Sequence, residues 1–493
     1  MAVTGAIGLE ERRIERTVAA VIEEWIQLVD NFSFVSGSHT AKFGVAYSNV
    51  RFFGNFRNFR DGQYSFTTDR PFNLSDPSTH PLQFVIVEGG TTWDERANLL
   101  GVFGQDSWRI APGVTLNDGI RYDTDDSLAI SGAKRVHTVS PRLGVAWSLD
   151  RQARTVVHAS AGFFHDSEHT NLANVFILNN LLLDRAVILN GNPAFAGLFN
   201  PFYDPQDPIG SAARLRRFLA EAFAEGRTPD LSALTVRSLA RSVNGIDSDF
   251  TVPVNRQLVV GASRELTRTM AVSADFVYSK AKSLLVWRNQ NLSRQGTAID
   301  PNFASKTFAG SVGEGTYRAL ALRYDLRQTK GYAGLSYTWA RCEDNTSSTL
   351  GGNTATNPFD LQLDAGPCDT DIRHTLVIRG GARLRLGVET STILTARSAP
   401  PYSATTSAPL PLFTRYEPRN RRRGDDFFSW DVRVGRTTPI TGRVSARLFL
   451  EAFNVLNQRN FLTYVANVSS PQFGQPSEAL APRRLQIGLR LDF

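Results

Sequence analysis

Charged side chains recur at every second position along several apolar stretches of this 493-residue chain. Arg323, Asp325 and Arg327 alternate with Leu322, Tyr324 and Leu326. Arg433, Arg447, Glu451 and Arg490 sit in the same way among Val432, Val434, Leu448, Leu450, Leu489 and Leu491, and Arg142 falls in a further segment of this kind. Such charges, held on one face of a wall, either neutralise one another or form an anion-selective surface.

Other residue types suggest chemistry more weakly. His165, Glu168 and His169 in "HDSEH" offer a metal or ligand contact, but not in the H-E-x-x-H order that sets a base beside zinc. Asp369, Asp371 and His374 in "CDTDIRH" are candidate metal ligands, but calcium needs converging oxygen ligands in a tight loop with glycine spacing, which is absent. Cys342 and Cys368 lack metal-ligand spacing and read either as a loop disulfide of an oxidising compartment or as two free thiols. Neither a G-x-S-x-G elbow nor a G-x-x-x-x-G-K-[ST] phosphate loop occurs. The reading is of a protein that is not an enzyme, with no cofactor and no resident metal.

The elements that position these residues are strands. The final stretch "RRLQIGLRLDF" alternates Leu485, Ile487, Leu489, Leu491 and Phe493 with Gln486, Gly488, Arg490 and Asp492. A period of two over ~9–11 residues marks a strand with one apolar face, and it is long enough to cross a bilayer when tilted. About fifteen such strands are expected: 25–35, 40–66, 96–109, 114–124, 138–148, 155–165, 251–264, 270–282, 316–327, 332–342, 372–382, 388–397, 427–436, 443–455 and 484–493. Short connections, such as "SGSH" (36–39) and "QTKG" (328–331), alternate with long ones near 67–95, 125–137, 166–250, 283–315, 343–371, 398–426 and 456–483. A soluble carbohydrate-binding β-protein has no reason to sort its loops by length. A transmembrane antiparallel β-barrel does, with tight periplasmic turns and long extracellular loops. Within the loop 166–250, residues 209–241 have helical spacing and predict short helices.

Composition sets the limits. Hydrophobic residues make up 42% and the formal charge is +7. Mean hydropathy is −0.21, and no run approaches the ~20 apolar residues of a spanning helix. The basic residues are scattered along the strands, apart from Arg419 and Arg421 to Arg423 in an expected loop, which read as solvated. No nucleic-acid partner is expected. The N-terminal "MAVTGAIGLEERRIERTVAAVIEEW" has charges where a signal peptide needs its apolar core. Residues 9–28 have helical amphipathic spacing, so 1–24 are expected outside the barrel as a helix, with the barrel over 25–493.

Several stretches resemble a known family. They are "QLVDNFSFVSGSHTAKFG" (27–44), "VFGQDSWRIAPGVTLNDGIRYD" (102–123), "SPRLGVAWSL" (140–149), "NPFDLQLDAGPCDTDIRHTLVIRG" (357–380) and "FLEAFNVLNQRNF" (449–461). In this order they resemble the barrel portion of TonB-dependent outer-membrane receptors of the Oar-like type. Leu489, Leu491 and Phe493 are similar to the terminal signature read by the barrel-assembly machinery. The resemblance implies a 22-stranded barrel of the Gram-negative cell outer membrane that takes up an extracellular ligand. The implied partners are membrane lipid and the assembly machinery, with TonB added only if a missing plug is supplied. No plug or TonB-contact box precedes the strands. Fifteen strands ending at the periplasm also start downward, which leaves 25–35 with a free edge. The chain is therefore expected to be a C-terminal fragment of such a receptor. The other reading is an unplugged passive channel or a non-functional remnant.

Overall fold

The computed structural model describes most of the chain. Residues 1–3, 17–18, 57–62, 132–133, 167–183, 347–352 and 443, and most of 66–91 and 190–240, lie outside the described residues. Sixteen long strands follow one another in a single meander. They are β1 (Thr4–Arg16), β2 (Ala19–Ser36), β3 (His39–Phe56), β4 (Thr92–Ala111), β5 (Val114–Asp125), β6 (Val136–Ser148), β7 (Thr155–His165) and β8 (Val254–Thr267), then β9 (Met270–Asn289), β10 (Phe303–Gln328), β11 (Gly331–Asp344), β12 (His374–Arg383), β13 (Val388–Arg397), β14 (Phe427–Thr441), β15 (Val444–Phe453) and β16 (Arg484–Asp492). Each pairs antiparallel with the next, as in β2–β3, β9–β10 and β15–β16. Three short strands, Arg241–Ile246, Asn353–Thr354 and Gly366–Pro367, complete a nineteen-stranded sheet.

Register keeps the two faces apart. Val434, Leu450 and Ile487 lie side by side across β14, β15 and β16, and all three are exposed. Leu322 pairs with Tyr337, which pairs with Leu376, on the same face. Leu143, Val145 and Trp147 continue it on β6. A continuous exposed apolar face would be a liability in water. In a bilayer it is the contact surface, where each Leu withdrawn from water is worth about 1.5–3 kcal/mol.

From β2 onward, the tight turns lie at one end. Gly37 has φ 55° in the two-residue turn between Ser36 and His39, and Gly113 has φ 78° after Pro112. Nothing would crowd a Cβ at Gly37, so its backbone angle alone calls for glycine there. In the turn after β6, the Asp150 carboxylate accepts hydrogen bonds from the backbone N–H groups of Gln152 (3.1 Å), Arg154 (2.9 Å) and Thr155 (2.7 Å). These bonds, that of Arg154 foremost, hold it below the usual carboxylate range.

Three expectations are corrected. Residues 4–16 and 19–36 are strands rather than a helix, and β1 matches β2 in register from Thr4↔Asn31 to Arg16↔Ala19. A paired strand satisfies the backbone edge of β2, which a helix lying beside it would leave bare. Ile26, Leu28, Phe32 and Phe34 share the exposed face of β2 and carry its true period of two. With β1 added, residues 25–35 have no free edge on that side, and the strand count is even. Second, the strand expected over 40–66 stops at Phe56. Gln63–Ser65 belongs instead to a small separate sheet with Gln83–Glu88 and Asp184–Leu189. Third, the connection 283–315 is mostly strand. β9 and β10 run 20 and 26 residues and leave only 290–302 as loop. The helices expected over 209–241 fall largely outside the described residues; Gly210, Arg214, Arg217 and Glu221 there have helical backbone.

Leu322→Arg is expected to destabilise the folded protein by about 2–4 kcal/mol, the cost of a cation on a lipid-facing strand near the midplane. Ala321→Arg, on the opposite face, should cost far less. Urea titration of folding into liposomes checks both, and equal costs would reverse the assignment of faces.

Candidate functional site

Three long loops are joined at the end opposite the tight turns. They follow β11 (345–373), β13 (398–426) and β15 (454–483). The middle one is the tie between the other two. From it, Arg423 donates to the backbone oxygens of Asp371 (2.6 Å) and Ala399 (2.8 Å) and pairs with the Asp371 carboxylate. Arg419 donates to the backbone oxygens of Asp344 (2.7 Å) and Gly366 (3.1 Å) and pairs with the Asp344 carboxylate. Asn420 reaches the oxygen of Pro367 (2.8 Å) and the carboxylate of Asp369 (2.6 Å). Arg415 binds Asp364 at 2.6 Å. On its other flank, Tyr402 stacks on Tyr464 at 5.5 Å, and Thr405 exchanges backbone hydrogen bonds with Ala466 and Val468.

The cluster is dry. Arg419 is 4% exposed and Asp371 1%. Burial by itself would raise the Asp371 carboxyl. Hydrogen bonds from Arg373 (2.7 Å), from the Cys342 backbone N–H (2.7 Å) and from Arg423 outweigh it and hold the group below the usual carboxylate range. The reading of Arg419 and Arg423 as solvated is corrected, because both carry loop-to-loop contacts that only the fold brings together. Cys342 and Cys368 are bridged, with Cα atoms 5.4 Å apart, and the bridge closes the base of the 345–373 loop. Asp344 lies close to both sulfurs, but a disulfide supplies no thiolate to a metal.

The remaining candidates take separate partners. Asp369 binds Asn420, Asp371 binds the arginines, and the His374 ring meets the Tyr337 hydroxyl at 2.8 Å, so the three do not converge. His165 meets Ser140 at 3.0 Å; Glu168 and His169 lie outside the described residues. Asn454 and Asn457 have φ of 51° and 54° and shape the turn after β15.

The charged face runs down the strands below the loops. Asp325 pairs with Arg323 (2.5 Å) and with Arg379 (2.8 Å). Arg379 reaches across Gly334, where a Cβ would lie 2.7 Å from the arginine Nε. Arg433 pairs with Glu451 at 3.2 Å and lies 4.0 Å over the Phe449 ring. Arg447 donates to Thr437 (3.1 Å) and lies 4.0 Å from Glu389, while Arg490 pairs with Asp492 at 2.7 Å. Arg142 lies 4.6 Å over Phe164. Arg327 shares its row with Tyr332, Gly381, Ser391 and Arg433. Leu489 and Leu491 are exposed on the opposite face, and Phe493 is fully open at the chain end. Arg379 was missed, although it falls on the polar phase of "HTLVIRGGAR" and that phase alone could have found it.

A single sheet with one exposed apolar face, a charged face opposite it and loops sorted by length fits a transmembrane β-barrel wall. The chain belongs to the outer membrane beta barrel domain family, which matches residues 17–133, 130–410 and 400–486. It is a protein of the outer membrane. Among solved structures it is similar to the outer membrane transporter YddB from Escherichia coli, with a TM-score of 0.61 and 13% identity, covering 96% of this chain and 54% of that one. It is also similar to the ferric enterobactin receptor PfeA from Pseudomonas aeruginosa (TM-score 0.55, 11% identity, 96% and 54% covered). The FrpB iron transporter from Neisseria meningitidis gives a TM-score of 0.52 at 13% identity, with 96% and 55% covered. The chain spans about half the length of these proteins. No curated protein matches it.

Asp371→Asn is expected to speed reduction of the Cys342–Cys368 bridge on the order of a hundredfold. Losing this buried pair costs about 3 kcal/mol, the lower end because Arg373 and Arg423 keep some contact with water. In the wild type, the Asp371 contribution is complete above the usual carboxylate pKa of about 3.9 and is lost as pH falls through the lower folded value, so reduction should accelerate in acid. A membrane-impermeant phosphine added to intact cells reads both, and a bridge reducible only from the periplasm would invert the topology.

Proposed function

We propose that the chain is the barrel portion of a TonB-dependent outer-membrane receptor of the Oar-like type, which captures an extracellular ligand on its long loops and passes it through the lumen. The observation that carries this reading is the loop cluster. Three loops are fixed by the disulfide, by buried Arg419 and Arg423 and by the Tyr402–Tyr464 stack, above a wall of charge. Recognition needs surfaces held still by a scaffold, whereas a simple pore gains nothing from cross-linked loops. The likeness to transporters of twice this length supports a plug, and with it the TonB contact, supplied by sequence beyond these 493 residues. Insertion is assigned to the barrel-assembly machinery, which would read Leu489, Leu491 and Phe493. No reaction chemistry is assigned.

Ferric chelates are the first probes, because similar proteins are described as an iron transporter and a ferric enterobactin receptor. The full receptor gene, expressed in iron-starved cells, should import radioactive iron from at least one ferric chelate. Import should stop on addition of an uncoupler and weaken in Arg419→Ala, which removes the arginine's bonds to Asp344 and Gly366 and loosens the loops. Uptake indifferent to the uncoupler would identify a passive channel. Absence of import across a chelate panel would leave the remnant reading.

A further inference from the structure

We infer that the inner face holds, at its short-turn end, an anion-binding basin for a small solute carrying two or more phosphate or carboxylate groups. The inference rests on the barrel wall and not on the receptor reading, since a passive channel would carry the same basin. A cavity of about 880 Å³ opens there over β10 to β15. Six cationic side chains line it: Arg327, Lys330, Arg379, Arg383, Arg433 and Arg447.

The carboxylates in the lining are too few to answer them. Asp325 is already shared between Arg323 and Arg379. Glu389 is shared between Arg383 at 3.1 Å and Arg447 at 4.0 Å. Arg433 has Glu451, whereas Arg327 and Lys330 have no ion-pair partner among the described residues. The basin therefore carries surplus positive charge, mostly on guanidinium groups whose paired N–H donors match the two oxygens of a phosphate or carboxylate.

Small residues keep the floor open. Gly381 lies beneath the Tyr332 ring, which comes within 2.6 Å of where a Cβ would stand. Gly435 and Ser391 fill the next positions. The volume falls in the range of about 300–1,000 Å³ common to small-ligand sites. Low-dielectric walls on either side focus the field of the surplus charge into the opening.

Calorimetric titration of the detergent-solubilised chain with pyrophosphate and with tricarballylate tests this at low salt. Saturable binding of at least one is expected, weakening as salt is added. Arg327→Gln with Lys330→Gln removes two charges that hold no ion-pair partner among the described residues, and should weaken binding about tenfold. Ser391→Glu leaves every cation in place and should weaken it too. A control pair of equal charge change on the outer loops, Arg421→Gln with Arg459→Gln, should not. Binding to pyrophosphate alone would mark a phosphate site, and binding to tricarballylate alone a carboxylate site. No saturable binding to either, or equal loss in the control pair, would overturn the basin. So would tight binding of an acidic polypeptide with none of the small anions, which would mark a protein-docking face.

Discussion

Backbone hydrogen bonding in hydrocarbon is the constraint on which everything else depends. An unpaired N–H or C=O there costs several kcal/mol, and no water is present to take its place. Each strand must therefore lie against a neighbour over its whole membrane length, and the antiparallel meander provides this for every strand between β1 and β16 with the shortest connections. The chain can tolerate polar and charged residues at half its positions because its stability does not depend on an apolar interior. The sheet carries no thick core. A compact apolar cluster sits above it, where Leu128 and Ala309 pack with Val136, Ile246, Phe250, Leu285 and Trp287.

Beyond the bilayer the logic reverses. The outer loops have water on one side and one another on the other, and they are held by desolvated charge. Arg419 and Arg423 each bind backbone oxygens and a carboxylate at once. Such a pair is costly to bury and costly to break, so it fixes one loop arrangement against alternatives that would strand a charge. The disulfide acts in the same direction by shortening the free length of the 345–373 loop.

How much of this was legible in the sequence follows from how far each signal acts. Alternation is local, and it revealed the strand phase from 485 onward and the sorting of loops by length. It failed where one face stops meeting lipid. Residues 303–315, "FASKTFAGSVGEG", are strand but lie past the membrane, so their apolar period fades and they read as loop. At the N-terminus the spacing of Leu9, Ile14, Val21 and Ile22 suits a helix as well as a strand, and only the pairing of β1 with β2 decides. The loop arginines were misread because their partners are 52 and 75 residues away, a distance no local pattern spans. The cysteine pair stayed open for the same reason, since spacing says nothing of whether two Cα atoms meet.

The extension of β9 and β10 has a mechanical consequence. About 11 residues suffice to cross the bilayer, so roughly eight residue pairs of this hairpin stand clear of it. At ~3.3 Å per residue and a tilt near 45°, they form a spur rising about 20 Å above the lipid surface. Arg241–Ile246 runs alongside β10 as a splint, and Asp247 clasps Arg288 and Gln290 at 2.7 and 2.6 Å. A lone two-stranded ribbon would sway at such a height, whereas this braced one is a stiff post. Whatever approaches the cell surface meets it before it meets the rim of the barrel.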